Sequence, residues 1–262
     1  LDGTLIDPKT GITKAIAYAL KSFDIVVPES EYDTLTPFIG PPLVESFARY
    51  YGFDEDTSKA AVAKYREYYA VTGLFECHVY PGIKAALEQL KASGYSIYLA
   101  TSKPEPFAKT ILGHLGLLDC FDRVAGSALD HSRDHKAQVI SWLMEQEQLK
   151  PEESLMVGDR SYDIEGARLC GIETVAVTYG YGSPEELDLW QPAYRVDSVD
   201  ALAALLLEVA PHALHRALGL TLRPLRDALR LRGELVAPRL EALVQAAEVL
   251  AQLLLQRRHA RL

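Results

Sequence analysis

The sequence predicts an α/β protein: a parallel sheet with crossover helices, an all-helical insertion near the N-terminus and a helical extension at the C-terminus. Three observations predict it. From about residue 80 short apolar runs alternate with helical patterns, which is how parallel strands and their crossovers read. From Thr10 to Val79 helical spacing recurs with no strand between the helices. From residue 210 the composition changes and two Leu-rich stripes follow.

The insertion comes first along the chain. Ile12–Phe23, Leu43–Tyr51 and Ser58–Val71 carry helical spacing. Thr36-Pro37-Phe38-Ile39-Gly40-Pro41-Pro42 interrupts them, because proline and glycine break helices. Tyr80-Pro81-Gly82 marks the return to the sheet. The core then alternates. Tyr95–Ala100, Arg123–Ala125, Ser154–Val157 and Thr174–Val177 read as strands. Glu105–Leu115, Lys136–Gln146 and Ile164–Leu169 read as helices. Ser102-Lys103-Pro104-Glu105 and Ser183-Pro184-Glu185-Glu186 have the pattern of capping boxes. The domain division that results is residues 1–9 and 80–209 for the core, 10–79 for the insertion and 210–262 for the extension.

Residues 210–262 hold nine Arg, no Lys and four acids, about +5, which leaves about -14 on the rest of a chain of net charge -9. Leu218, Leu222, Leu225 and Leu229 form one apolar stripe. Val236, Leu240, Leu243, Ala247, Leu250 and Leu254 form a second. A helical hairpin is expected, as an appendage packed on its own chain or as the contact of a homo-oligomer.

The overall negative charge argues against nucleic-acid or anionic-membrane partners. With 48% hydrophobic residues the chain can bury a sizeable core. Cys77, Cys120 and Cys170 form no Cys-x-x-Cys pair, so neither zinc nor a disulfide framework is indicated, and a reducing cytoplasm is expected. No apolar run approaches the ~20 residues of a membrane span, and no signal peptide is visible. The chain begins at Leu1 without a Met, so the natural N-terminus is expected upstream.

Four local signals fall at the C-terminal ends of expected strands, the edge where open α/β sheets bind ligands. Leu1-Asp2-Gly3-Thr4-Leu5-Ile6-Asp7 is a good turn, or a first chemical motif. Thr101-Ser102-Lys103 offers hydroxyls and helix N-terminal amides to a phosphate, or simply caps a helix. Lys136 opens a helix, as a surface charge or as a phosphate partner. Gly158-Asp159-Arg160-Ser161-Tyr162-Asp163 puts two carboxylates at i and i+4, suited to a shared hard cation or to helix capping.

The order of these signals resembles the four motifs of the haloacid dehalogenase superfamily, and the helical insertion resembles its C1 cap over a Rossmann-like core. Finer text is similar to the phosphoglycolate phosphatase-like group that includes bacterial 5′-nucleotidases: Phe38-Ile39-Gly40-Pro41-Pro42-Leu43, Tyr65-Arg66-Glu67-Tyr68-Tyr69, Val79-Tyr80-Pro81-Gly82-Ile83 and Gly180-Tyr181-Gly182. The resemblance covers residues 1 to about 209.

It implies a Mg²⁺-dependent phosphomonoesterase acting on a small phosphorylated metabolite, a 5′-nucleotide or 2-phosphoglycolate, through an aspartyl-phosphate. The family's first motif is Asp-x-Asp-Gly-Thr, with its first Asp as nucleophile. Leu1 matches the x. The nucleophile and the apolar central strand leading to it are therefore expected immediately before Leu1, and the chain from Leu1 alone is expected to be inactive. By the same resemblance Asp2 is the acid and base. Thr101 and Lys136 bind and neutralise the phosphoryl group. Gly3, Ser102 and Lys103 contribute to substrate binding. Asp159 and the Asp2 carbonyl hold the metal. Asp163 ligates it directly, through water, or positions Lys136. From the cap, Phe38, Gly40 and Pro41 approach the leaving group. Phe38 either stacks on a base or packs the cap. Tyr65 and Arg66 read an anionic or ribose group, or belong to an exposed helix face. Two other functions stay open: a phosphosugar mutase of the same superfamily, and a phosphometabolite-binding or interaction module without catalysis.

Overall fold

A computed structural model describes residues 1–128, 133 and 135–217, with residues 209–217 as backbone. The two stripes expected beyond residue 217, and the homo-oligomer expected through them, lie outside the described residues. In chain order, β1 (Ile6–Asp7) leads into α1 (Lys9–Lys21), a 3₁₀ segment (Glu29–Phe38), α2 (Leu43–Tyr51) and α3 (Glu55–Tyr69) before β2 (His78–Val79) returns the chain. Then come α4 (Ile83–Ala92), β3 (Tyr98–Pro104), α5 (Glu105–His114), β4 (Arg123–Ser127) and α6 (Lys136–Glu147). β5 (Leu155–Gly158), α7 (Ser161–Leu169), β6 (Glu173–Val177), α8 (Pro184–Trp190), β7 (Tyr194–Val196) and α9 (Val199–Ala217) complete the described chain.

The fold is the expected α/β one. β3 and β4 pair in parallel, with Leu99 opposite Val124 and Ala100 opposite Ala125. β5, β6 and β7 form a second parallel sheet, with Val157 opposite Val175. Val175, Ala176 and Val177 of β6 are all fully buried. A strand covered on both faces reads as an unbroken apolar run, and this one does. β3 instead alternates: Leu99, Thr101 and Lys103 point to the buried side. The period of two therefore puts a hydroxyl and an ammonium side by side on one face of one strand. Ile140 and Ala167 pack against Ala100 and Met156, so α6 and α7 bind the two parallel sheets together.

One expected helix start is corrected. Ser102–Glu105 is not a capping box. The strand runs on through Pro104, and α5 begins at Glu105 with Pro104 as its N-cap and no side-chain cap. Proline disfavours the helical region for the residue before it, so Lys103 stays extended. Thr101 Oγ1 then accepts the Lys103 amide at 3.2 Å within the strand. At Ser183 the expected cap forms, its Oγ accepting the Glu186 amide at 3.1 Å.

The helical segment lies between β1 and β2, at residues 8–77, and the last two residues expected in it, His78 and Val79, are strand. The chain leaves and re-enters the core at one place, where β1 and β2 pair antiparallel, Ile6 with Val79 and Asp7 with His78. α1 packs on α3 and on the 3₁₀ segment, burying Ile12, Ile16 and Leu20. Each fully buried side chain of this size contributes roughly 1.5–3 kcal/mol. Phe38, Phe47, Tyr51 and Phe53 make an aromatic cluster with ring centroids 5.2–6.1 Å apart. The insertion and the first loop share one apolar cluster that runs from Leu1 and Leu5 to Phe47 and Ile111.

Candidate active site

The first loop turns sharply because Gly3 takes φ +73°, a left-handed conformation that other residues adopt at a cost. Space adds a second reason: a Cβ on Gly3 falls 2.0 Å from Asp159 Oδ2. The loop thus lies directly on the Asp159 carboxylate. Thr4 donates its hydroxyl to Asp159 Oδ1 at 2.9 Å. The Tyr181 amide donates to Oδ2 at 2.9 Å. Tyr179 anchors the loop from behind, its hydroxyl donating to the Thr4 carbonyl at 3.0 Å.

Asp159 and Asp163 are both buried, yet their environments differ. Asp163 Oδ1 pairs with Lys136 Nζ at 2.9 Å, while its Oδ2 accepts the amides of Asp159 and Arg160 at 3.1 Å each. Burial pushes the Asp163 carboxyl up, but the Lys136 charge and hydrogen bond outweigh it and hold it below the ordinary carboxylate range. Asp159 accepts from neutral donors. Burial, and then the charge of Asp163, push it up to about 6. A buried carboxylate raised in this way is stabilised by any cation that approaches it. Lys136 also donates to the Ala100 carbonyl at 3.2 Å, which ties it to β3.

On β3, Thr101 Oγ1 already accepts the Lys103 amide, so its hydroxyl proton is free to donate elsewhere. Lys103 Nζ lies 3.0 Å from Asp2 Oδ2 and 4.6 Å from the centre of the Tyr69 ring, and it donates to the Tyr69 hydroxyl. The other carboxylate oxygen, Asp2 Oδ1, is buried with no hydrogen-bond partner among the described residues.

These groups surround one cavity of about 350 Å³. Asp2, Thr101, Ser102, Lys103, Lys136, Asp159 and Asp163 form its core side, and Phe38, Gly40 and Pro41 reach it from the insertion. Gly3 alone of the sequence-derived candidates does not line it. It supports Asp159 from beneath. Phe38 is 3% exposed and sits edge-on to Phe47, so most of its surface packs the insertion. Tyr65 also lines the cavity and is buried, stacked on Tyr69 at 4.9 Å, so it does not belong to an exposed helix face. Arg66 is exposed at the rim of the same cavity.

Arg160 was not among the sequence candidates for the site, and it joins the two halves of the cavity. Its Nη1 donates to the Ile39 carbonyl at 2.6 Å. Its Nε donates to the Glu186 carboxylate at 3.1 and 3.2 Å, and the same carboxylate accepts the Ser161 amide at 2.6 Å. Gly40 takes φ +108°, and a Cβ there comes within 3.1 Å of Arg160 Cγ. Thr4 and Tyr181, which grip Asp159, were missed as site residues as well. The signal for both lay in text already quoted, Asp-Gly-Thr and Gly-Tyr-Gly.

Fold and site define a capped α/β domain whose buried carboxylates and lysines meet at the C-terminal ends of parallel strands. The chain belongs to the haloacid dehalogenase-like hydrolases, whose family model matches residues 1–177. It is 43% identical over 206 residues to a 5′-nucleotidase of Pseudomonas aeruginosa, covering 79% of this chain and 92% of that one. It is 31% identical to a phosphoglycolate phosphatase of Vibrio parahaemolyticus, over 77% of this chain and 91% of the relative. It is also 39% identical to the tyrosine-protein kinase PtkA of Mycobacterium tuberculosis, over 72% of this chain and 63% of that protein. Among solved structures, a predicted phosphatase from Clostridium acetobutylicum superposes with a TM-score of 0.76 at 45% identity, over 79% of this chain and 95% of that one. Among the described residues no helix is long and apolar enough to cross a membrane.

Proposed function

We propose that this chain carries the site of a Mg²⁺-dependent phosphomonoesterase for a small phosphorylated metabolite. The observation that supports it best is the convergence of Asp2, Thr101, Lys136 and Asp159 on one cavity at the strand ends. Phosphoryl transfer needs positioning and charge neutralisation more than covalent chemistry from the protein, and this set offers both.

The metal that the family implies fits the residues present. Asp159 is a hard oxygen donor, buried and raised to about 6. No cluster of three or more His, Cys, Asp or Glu is present among the described residues. Mg²⁺ binds through one or two carboxylates and keeps waters and substrate phosphate for its remaining positions. Asp159 and the Asp2 carbonyl would hold it, and when bound it supplies neutralisation of phosphoryl charge. With both oxygens of Asp163 engaged, that residue acts by holding Lys136 and the loop.

The nucleophile is the aspartate that the family pattern sets immediately before Leu1. Leu1 is buried and lines the cavity together with Asp2, Lys136, Asp159 and Asp163, so a residue joined to its backbone nitrogen borders the site. In the first step its carboxylate oxygen bonds to phosphorus, the ester P–O bond breaks, and Asp2 gives its proton to the departing oxygen. In the second, water oxygen bonds to phosphorus, the aspartyl P–O bond breaks, and Asp2 takes the water's proton. Ester and water thus become alcohol and phosphate. Thr101 donates to a phosphoryl oxygen, and Lys136 lowers the repulsion between nucleophile and substrate. A 5′-nucleotide suits the cavity better than 2-phosphoglycolate, because the partly exposed Pro41, Pro42, Leu43 and Tyr162 line it with apolar surface that glycolate does not use.

The test is phosphate release from a panel of phosphomonoesters, in Mg²⁺ and in EDTA, by the chain extended with an apolar strand ending in Asp before Leu1. Release in Mg²⁺ and none in EDTA is expected, with a 5′-nucleotide ranked first. A folded, extended chain that is inert on every ester rejects the phosphatase reading.

A further inference from the structure

Lys103, expected by resemblance to help bind substrate, takes no part in the two steps above, and it is the most enclosed lysine lining the cavity among the described residues. Its side chain is 6% exposed. It sits on the buried face of β3, two residues after Thr101. Burying an ammonium is expensive unless it is paired and hydrogen-bonded. Two partners meet that cost here. Asp2 Oδ2 lies 3.0 Å away, and Tyr69 offers both its ring face at 4.6 Å and its hydroxyl. Tyr69 is itself buried at the C-terminal end of α3, stacked on Tyr65 at 4.9 Å. Lys103 therefore stands between the carboxylate of the core and the last turn of the cap's longest described helix.

The consequence falls on Asp2. Lys103 holds one of its oxygens, and the other, Oδ1, stays buried and unpartnered among the described residues, while Asp2 as a residue lines the cavity. A carboxylate with one oxygen tied has its torsion fixed, and the second oxygen then has one direction in which to act. A general acid must lie within hydrogen-bond reach of the atom it protonates, so this orientation matters as much as the group itself. The Lys103 hydrogen bond to Tyr69 ends on the cap, so that orientation is complete only with α3 in place above β3.

The geometry points to Lys103 as a positioning residue: it sets the Asp2 carboxylate for proton transfer to the leaving group and, through Tyr69, ties that setting to the seated cap. This rests on the phosphatase reading above. A lysine that merely neutralised phosphate would act equally on every phosphomonoester. A lysine that aims the acid acts on esters whose leaving oxygen needs a proton.

The experiment compares an alkyl ester, 5′-AMP (2-phosphoglycolate if 5′-AMP is not turned over), with p-nitrophenyl phosphate, whose phenolate leaves without protonation. The proteins are the extended chain, its Lys103→Met variant and its Tyr69→Phe variant. General acid catalysis is worth roughly 10²–10⁴-fold, so Lys103→Met is expected to lower kcat/KM for the alkyl ester about 100-fold. The loss on p-nitrophenyl phosphate is expected to be at least tenfold smaller. Tyr69→Phe, which keeps the ring and removes the hydroxyl, is expected to show the same asymmetry at about 3- to 10-fold. kcat falls for both esters, because both pass through one aspartyl-phosphate whose hydrolysis also uses Asp2. Equal losses in kcat/KM on the two esters with a raised KM overturn the proposal and make Lys103 a phosphate-neutralising group. No loss on either ester makes it structural and overturns it too. Should Lys103→Met fail to fold, Tyr69→Phe decides alone by its asymmetry. An extended wild-type chain inert on both esters rejects the phosphatase reading itself, a result separate from any of these.

Discussion

The two walls of the cavity are built by different physics. The core wall is polar and charged: Asp159, Asp163, Lys136, Lys103 and Asp2 are all largely buried and almost every oxygen and nitrogen has a fixed partner. The cap wall is aromatic, with Phe38 packed on Phe47, Tyr65 stacked on Tyr69, and Arg160 reaching across to the Ile39 carbonyl. Hydrogen bonds and ion pairs specify direction, whereas apolar packing specifies shape. The core wall can therefore perform one chemistry with accuracy, and the cap wall can select by fit.

The largest expected effect comes from breaking the core wall. Lys136→Met should lower phosphate release by the extended chain about 10²–10³-fold, the usual range for a preorganised electrostatic group. It should also destabilise the fold by roughly 3–5 kcal/mol, since it leaves the Asp163 charge buried without its ion partner. Denaturant melts and turnover on one sample test both. Adding Asp163→Asn should recover much of the stability and none of the activity. Recovery of activity would contradict the role given to Lys136.

The next effect comes from the cap wall. Phe47 is fully buried among Phe38 and Phe53. Phe47→Ala should cost about 3–5 kcal/mol. Because the loss falls on shape, KM for 5′-AMP should rise more than KM for p-nitrophenyl phosphate. A fall in kcat alone, equal for the two esters, would mean that the cap wall takes part in the chemistry.

The smallest effect sharpens the link between the walls. Burial pushes the Glu186 carboxyl up, but the Ser161 amide and Arg160 outweigh it, so its folded value lies below the ordinary one. A depressed value means that the stabilisation is present above the unfolded pKa of about 4.3 and fades as pH falls through the lower, folded value. Glu186→Gln should therefore lower Tm by a few degrees at pH 7 and converge with the wild type in strong acid. A constant gap across that range would show that the carboxylate's charge is not what holds Arg160.

The difference between the walls also explains what the sequence disclosed. Asp2, Thr101, Lys136 and Asp159 were legible through the order of their four motifs, since each alone also reads as a turn, a helix cap or a surface charge. α2 was read to the residue, and β4 to its first residue, because their apolar spacing is regular. Of the two readings open for Tyr65, the exposed helix face falls, because Tyr65 is buried against its i+4 neighbour Tyr69, which Lys103 of the distant β3 holds, and local spacing does not show that third residue. Arg160 contacts a carbonyl 121 positions away in the chain, and no periodicity encodes such a contact. Ser102 was misread as a cap because a local pattern competed with Pro104, which kept the strand extended.

The two-residue ladder between β1 and β2 has a further consequence. Where Ile6 faces Val79 and Asp7 faces His78, the outgoing and incoming chains are neighbours, about 5 Å apart as in any antiparallel pair. To the core, everything between is a single surface loop, and the entropy of closing a loop grows only with the logarithm of its length. The insertion can lengthen, shorten or be replaced without moving Thr101, Lys136 or Asp159, provided that the turn of α3 carrying Tyr69 keeps its place beside Lys103 and Asp2. In evolutionary terms the fold separates most of its reaction from its choice of substrate at one short seam, so that selection can revise the second while the strand-borne groups of the first stay in place.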